Sequence, residues 1–442
     1  MTLPAGWQAL PLEEIAPEVK GSITPAPGTE YELWSVPSFS GGRPEKVDGR
    51  EIRSSKRPVK PNDVLLCKIN PRLNRVWKVG PTRDAVQIAS PEWITLRPEP
   101  HGRILPDFLR YYLSSPQFRD WIVAQVSGVT GSHTRAKPAQ VMKQLIPFPS
   151  LDEQCRIAET LEDQFSRLDA AEAGLDLAAA RLRRLQDRLV IQELTGELVT
   201  GDRIPAALTP AGATDGELTP LPHGWTWRRL EEVADVVGGV TKDAKKQDEP
   251  SYIEVPYLRV ANVQRAHLNL GQIATIRVPP VKAAQLRLLP GDVLLNEGGD
   301  RDKLARGWVW ESQIDRCIHQ NHVFRARIRE DVDLDPYFLS WTANLFGGPW
   351  AERNGKQSVN LASISLKMIR KMPVIVPPAG VSKAVVERLT EQLAAIGRME
   401  SSIPVAEARS SSLRRAVLSA AFAGRLTGRA SDTDVIEEFA VV

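Results

Sequence analysis

The sequence predicts an α+β protein made of two duplicated mixed-sheet domains, separated by two long antiparallel coiled-coil helices with pseudo-two-fold symmetry. Three observations carry this. The chain repeats itself once, each half closes on a long leucine-patterned helix, and the segments between the repeated motifs diverge.

The repeat comes first. Leu3-Pro4-Ala5-Gly6-Trp7 returns as Leu221-Pro222-His223-Gly224-Trp225, and Leu12-Glu13-Glu14-Ile15-Ala16 as Leu230-Glu231-Glu232-Val233-Ala234. Pro61-Asn62-Asp63-Val64-Leu65-Leu66 returns as Pro290-Gly291-Asp292-Val293-Leu294-Leu295. Phe108-Leu109 matches Phe338-Leu339, each followed by residues that read as a short helix. Ile146-Pro147-Phe148-Pro149 answers the run Met372 to Pro378, and Leu194-Thr195-Gly196-Glu197-Leu198 answers Phe422-Ala423-Gly424-Arg425-Leu426. A period near 228 residues is a duplicated domain, because solenoid repeats span only about 20–50. Residues 20–60 share almost nothing with 236–289, so a kept frame with divergent inserts implies one task performed on two targets.

After Pro149 the pattern changes. From Leu151 to Leu198 there is no proline, and leucine recurs every seventh residue at Leu161, Leu168, Leu175, Leu182 and Leu189. Phe165 and Leu185 widen the stripe. This is a heptad seam, on a helix roughly 65–70 Å long at about 1.5 Å per residue. Leu389, Ile396, Ile403 and Val417 place an equivalent seam in the second half, interrupted at Ser410. Pro404 is expected to kink or break that helix. Neither stripe can bury itself alone, and pairing the two helices antiparallel is the economical solution; two separate core helices are the alternative. The expected boundaries are 1–150 and 221–378 for the two domains, 151–199 and 379–426 for the helices, 200–220 for a Pro/Ala/Gly/Thr-rich linker, and 427–442 for a fraying tail.

Composition limits the functional class. The 442 residues are 42% apolar and 25% charged, ordinary for a soluble protein. The N-terminus lacks a basic n-region and an apolar h-region, and no apolar stretch approaches the length of a membrane span. Cys67, Cys155 and Cys317 are far apart, so neither a disulfide framework nor a zinc site follows, and a reducing cytoplasm is expected. A net charge of +3 is modest for a protein gripping DNA unaided. Either the positive charge is concentrated on one face, or a partner supplies part of the grip.

Together these elements resemble the specificity subunits of type I restriction–modification systems, over nearly the whole chain. Leu221-Pro222-His223-Gly224-Trp225-Thr226-Trp227-Arg228-Arg229-Leu230-Glu231-Glu232-Val233 is similar to the opening of a target recognition domain. The runs Pro256 to Val263 and Gly291-Asp292-Val293-Leu294 are similar to two of its framework strands. Two departures stand out: Pro404, and a Trp34-Ser35-Val36-Pro37 strand that differs from its counterpart. The resemblance implies a non-catalytic reader without a cofactor. Each recognition domain would bind one half of a split double-stranded DNA target. Methylation (M) subunits would dock on the frame and restriction (R) subunits complete the assembly, so that adenine methylation and ATP-driven cleavage belong to other chains.

Base readout calls for Arg, Lys, Asn or Gln at groove edges, and phosphates for small polar donors and cations. In the first half Lys68, Asn70, Arg72, Asn74, Arg75 and Lys78 form one such cluster, in a loop expected directly after a strand. Thr130, Ser132, His133, Arg135 and Lys137 form a second. The second half offers Thr241, Lys242, Lys245 and Lys246, then Arg301, Lys303 and Arg306, then Lys356, Gln357, Ser358 and Asn360 before the exit strand. A charge run is otherwise a solvated face.

Catalytic motifs are missing. Asp335-Pro336-Tyr337-Phe338 superficially resembles the DPPY motif of amino-methyltransferases, but no glycine-rich turn for S-adenosylmethionine accompanies it; it reads as a turn opening a helix. Asp63 with Lys68 lacks the second acid of a nuclease metal site. Gly355-Lys356-Gln357-Ser358 is not a phosphate-binding loop, and the six histidines form no metal-ligand pair. The competing reading is a coiled-coil scaffold with two protein-binding domains, which the modest charge favours.

Overall fold

The computed structural model describes residues 3–82, 85–99, 102–126, 134–299, 303–357 and 362–426. The chain divides into two compact units, one joining Met1–Leu177 to Ser402–Val442 and the other comprising Ala178–Ser401. Helices and strands mix in both, so the fold is α+β. The tail 427–442 lies outside the described residues.

Unit 1 opens with β1 (Gln8–Pro11) and the one-turn α1 (Leu12–Ile15). There follow β2 (Glu30–Trp34), β3 (Glu45–Asp48), β4 (Arg57–Pro58), β5 (Val64–Cys67), β6 (Val76–Lys78), β7 (Val86–Ala89) and β8 (Trp93–Leu96). Helices α2 (Pro106–Ser114), α3 (Pro116–Ala124) and α4 (Pro138–Met142) precede β9 (Leu145–Phe148) and the start of α5 (Leu151–Leu194). One sheet has the order β3-β2-β7-β4 and is mixed, since β2 and β7 are parallel. A second is β6-β5-β8, and β1 pairs antiparallel with β9. Because β5 is covered on both sides, it reads as the unbroken apolar run Val64-Leu65-Leu66. The strand expected at Trp34 to Pro37 ends at Trp34, where Pro37 turns the chain into a 3₁₀ helix.

Unit 2 begins inside α5 and continues with β10 (Arg203–Ile204), β11 (Leu221–Pro222), β12 (Thr226–Arg229), α6 (Leu230–Val233), β13 (Ala234–Val237) and β14 (Ile253–Leu258). Next come β15 (Val263–Gln264), β16 (His267–Leu268), β17 (Ala274–Val278), α7 (Pro280–Leu286), β18 (Val293–Asn296), β19 (Gly298–Gly299), β20 (Gly307–Val309), β21 (Ile318–His319) and β22 (Val323–Ile328). The unit closes with α8 (Pro336–Thr342), α9 (Gly348–Asn354), β23 (Lys356–Gln357), β24 (Ala362–Ser363), α10 (Leu366–Ile369), β25 (Pro373–Val376) and the start of α11 (Val381–Phe422). Its pairings follow those of unit 1: β12 with β25, β20-β18-β22, and a parallel pair, β14 with β21. Asp335 caps α8 by accepting from the Tyr337 and Phe338 amides, and Phe338 is buried, as a helix-opening turn requires.

The repeated turn before β5 and β18 has the same chemistry in both units. Asp63 and Asp292 are each 1% exposed. Asp63 accepts twice from Arg97 at 2.7 and 2.6 Å and once from the Lys60 amide. Asp292 accepts twice from Arg327 at 2.7 Å and once from the Leu289 amide. These bonds raise the pKa of both guanidiniums above the ordinary arginine value. The preceding residue is left-handed in both, Asn62 at φ 73° and Gly291 at φ 87°.

The long helices have burial that matches their seam. Leu161 and Phe165 are buried and Leu168, Leu175, Leu182 and Leu189 half-buried. Leu185, expected to widen the stripe, is 47% exposed instead. In unit 1, Asp169 pairs with Arg414 at 2.5 Å, and Ser410 donates to Glu172 at 2.6 Å, so numbers rise along one helix as they fall along the other. In unit 2, buried Glu193 pairs with Arg388 at 2.8 Å, next to Val190, Leu194, Val385 and Leu389. Of the kink or break expected at Pro404, the break is absent: α11 runs through it. Pro404 sits on the exposed face, where water can serve the carbonyl it leaves without a donor, which tempers a cost of about 3 kcal/mol. Both helices end on a left-handed glycine, Gly196 at φ 61° and Gly424 at φ 70°. The Glu197 and Arg425 amides reach back to the Gln192 and Ala420 carbonyls. Cys155 on α5 is exposed, whereas Cys67 and Cys317 are buried.

The segment 200–220, expected as a linker, is fastened to unit 2. Asp215 accepts twice from Arg229 and once from the Trp350 indole, and Thr214 exchanges bonds with Asn354.

Replacing Asp292 with Ala strands the Leu289 amide and the Arg327 guanidinium, and is expected to cost about 2–3 kcal/mol in denaturant unfolding. Gly291→Val is expected to cost about 1–2 kcal/mol because of its left-handed backbone. Gly291→Asn should cost less, since Asn62 already occupies the matching place.

Candidate nucleic-acid interface

In unit 1 the first basic cluster leaves β5 as a loop, makes a single turn at Pro71–Leu73, and ends inside β6. Asn70 and Asn74 flank that turn at φ 47° and 41°, which gives both asparagines a backbone reason for their positions. Asn74 also donates to the Leu113 carbonyl at 2.9 Å, and Lys78 pairs with Asp107 at 2.7 Å, so both side chains are engaged within the unit. Arg72 is exposed, while Lys68, Asn70 and Arg75 are half-buried. Of the second cluster, Thr130, Ser132 and His133 lie outside the described residues, and Arg135 and Lys137 are exposed.

The fold brings these two clusters together. Asn70 donates its amide to Thr134 O at 3.0 Å, Ala136 to Lys68 O at 2.8 Å, and Ile69 bridges Arg135. On the other side Lys68 donates to Glu92 O at 3.1 Å, and the Arg135 guanidinium pairs with the Glu92 carboxylate at 3.2 Å.

Unit 2 joins its clusters in the same way. Ile364 donates its amide to Glu297 O at 2.9 Å, Gly298 pairs with Ser363, and Glu297 donates to His322 O at 3.0 Å. Strand β23 lies on the far side of β24 and places Lys356 and the Gln357 backbone there. Lys303 and Arg306 are half-buried and engaged in contacts, while Arg301, Ser358 and Asn360 lie outside the described residues. The glycine–lysine segment joins the line through Val240, whose carbonyl accepts from Asn321, leaving Thr241, Lys242 and Lys245 exposed; Lys246 ends a one-turn helix. Gly239 is required for the approach, because a Cβ there would lie 2.1 Å from His319 O.

Two groups of residues were not singled out from the sequence. Gln320, Asn321 and His322 occupy the middle of the unit 2 line, where the His322 imidazole donates to the Glu297 carboxylate at 2.5 Å. Their only signal was a polar run between two apolar strands. Arg119 and Arg415 line a groove of about 300 Å³ with Arg72, and none of the three is ion-paired among the described residues. Residues so distant in sequence give no signal of their meeting.

His319 lies beneath this line, fully buried. Its Nδ1 donates to Val323 O at 2.6 Å, whereas its Nε2 has no partner, so it is half-satisfied. Burial chiefly, with Arg325 nearby, pushes its pKa down to about 4. Among the described residues no group of three His, Cys, Asp or Glu side chains could hold a metal, and no helix is long and apolar enough to cross a membrane.

A chain with these paired strands, long helices and twin loop ladders resembles the specificity subunits of type I restriction enzymes, and the similarity covers nearly its full length. Among such relatives, the StySPI specificity subunit of Salmonella potsdam is 23% identical, with 98% of this chain and 92% of the relative covered. The EcoKI specificity subunit of Escherichia coli K12 is 21% identical over the same shares. No family model matches. Among solved structures, a chain from a study of assembly and conformational transition in the type I R-M system superposes with TM-score 0.69 at 21% identity, covering 96% of this chain and all of that one. The HsdS subunit of Thermoanaerobacter tengcongensis gives TM-score 0.56 at 21% identity, covering 96% and 98%.

The unfolded chain protonates a histidine near pH 6.5, while the folded one resists until about pH 4. The unfolded state therefore binds more protons in that window, and stability is lost as pH falls through it. Measured as the difference from His319→Asn, whose amide can keep the Val323 bond, wild-type stability should decline more steeply between pH 6.5 and 4.

Proposed function

We propose that this chain is the DNA sequence-specificity subunit of a type I restriction–modification complex, with no catalytic site of its own. The observation that carries this is similarity to curated specificity subunits over 98% of the chain. It binds a bipartite double-stranded DNA target and directs partner methylation and restriction subunits, which perform the chemistry in the cytoplasm.

In this reading, residues 1–150 and 221–378 are duplicated target recognition domains, one for each half-site. Helices 151–199 and 379–426 form an antiparallel coiled-coil spacer, the fastened segment 200–220 connects the halves, and 427–442 is a tail. The matched turns at Asp63 and Asp292 support a duplication, and the opposed numbering at Asp169/Arg414 supports antiparallel pairing. The basic loops on their ladders supply the DNA contacts, and the guanidiniums of Arg72, Arg119 and Arg415, without ion-pair partners among the described residues, suit backbone phosphates. A linked second domain strengthens binding only where geometry lets both engage, so the spacer becomes part of specificity.

Methylation sequencing of host DNA, with the methylation partner present throughout, tests the proposal. Deleting this gene should abolish modified adenines at one split motif; unchanged methylation would sink the reading. In duplex binding by the assembled complex, Arg72→Ala and Arg415→Ala should each weaken affinity for all sequences alike. Each should also reduce the slope of log affinity against log salt by about 1. A protein scaffold would show no such salt dependence.

A further inference from the structure

We propose that Lys68, Glu92 and Arg135 in unit 1, and Glu297, His322 and Ser363 in unit 2, are corresponding base-reading positions; this rests on the DNA-specificity function proposed above. The backbone that carries them is the same in both units. Lys68 N bonds Glu92 O at 3.1 Å where Glu297 N bonds His322 O at 3.0 Å. Ala136 N bonds Lys68 O at 2.8 Å where Ile364 N bonds Glu297 O at 2.9 Å. Ile69 bridges Arg135 where Gly298 pairs with Ser363.

At matched places that serve the fold, the side chain is retained along with the backbone, as with Asp63 and Asp292 or Phe108 and Phe338. On these three segments the backbone is kept and the chemistry is exchanged. Cation, acid and cation in unit 1 become acid, imidazole and hydroxyl in unit 2. Folding does not require the difference, since the main chain alone makes the ladder. All six side chains retain solvent access, with Arg135, His322 and Ser363 exposed. For four of them the orientation is also set in advance: Arg135 holds Glu92 at 3.2 Å, and His322 holds Glu297 at 2.5 Å. Pre-set groups lose little freedom on binding.

The acids exclude a simple phosphate-gripping role, because a carboxylate repels the backbone. A carboxylate instead accepts from an exocyclic base amine, cytosine N4 above all, whereas Lys68 and Arg135 suit the O6 and N7 acceptors of guanine.

The test uses the assembled complex with its methylation subunits, reading the methylated motif by sequencing. Glu297→Gln and His322→Asn should relax or change base preference in one half-site by about 10- to 100-fold, leaving the other half-site as it was. Lys68→Gln and Arg135→Gln should do the same to the opposite half-site only. An unchanged motif in all four variants, or equal weakening of both half-sites, would overturn the inference. A wild-type chain that directs no methylation at a split motif would instead overturn the function on which it rests.

Discussion

Asp63 and Asp292 are almost wholly withdrawn from water, and a charge in that position survives only where every oxygen has a partner. Each finds two bonds from one arginine and a third from a main-chain amide three residues earlier. The carboxylate thus holds the turn that launches the central buried strand, β5 in unit 1 and β18 in unit 2. Four residues later those strands end, at Cys67 and Asn296, and the loop ladders begin. The position of the loops that leave β5 and β18 therefore depends on a carboxylate that itself lies in the interior.

Much of this was legible in the sequence because the repeat preserves residues whose roles are local. Pro-Asn-Asp and Pro-Gly-Asp announce the same turn, and the two residue types that tolerate a positive φ stand at the same place in it. Leucines at seven-residue spacing announced the inward face of α5, and Asp335 announced the start of α8. Leu185 was misassigned because an isolated leucine beside a seam gives no indication of its face, and the fold turns it outward. The break at Pro404 failed to appear for a related reason. Its cost depends on which side of the helix it occupies, and only the surroundings decide that.

The candidate interface was legible in part. Composition identified the basic loops, and their matched places in the two halves identified them as counterparts. It could not show that Lys68 and Arg135, or Glu297 and Ser363, share one ladder, since the strands between them set that proximity. Nor could it show that Asn74 and Lys78 are engaged by α2. Arg119 and Arg415 became candidates only when the groove joined them to Arg72.

A seam of evenly spaced leucines carries an ambiguity. Sliding one helix along another by seven residues returns every apolar side chain to an equivalent neighbour, so hydrophobic burial alone scarcely distinguishes the alignments. Ser410, which looked like a flaw in the pattern, removes that degeneracy. Its hydroxyl meets Glu172 in one alignment, with Arg414 and Asp169 in step beside it. Shifted by a heptad, the hydroxyl would face an apolar neighbour and the acid would lose its donor. Where the two helices meet in unit 1, the serine therefore acts as a detent, giving up a little adhesion in exchange for a single local alignment.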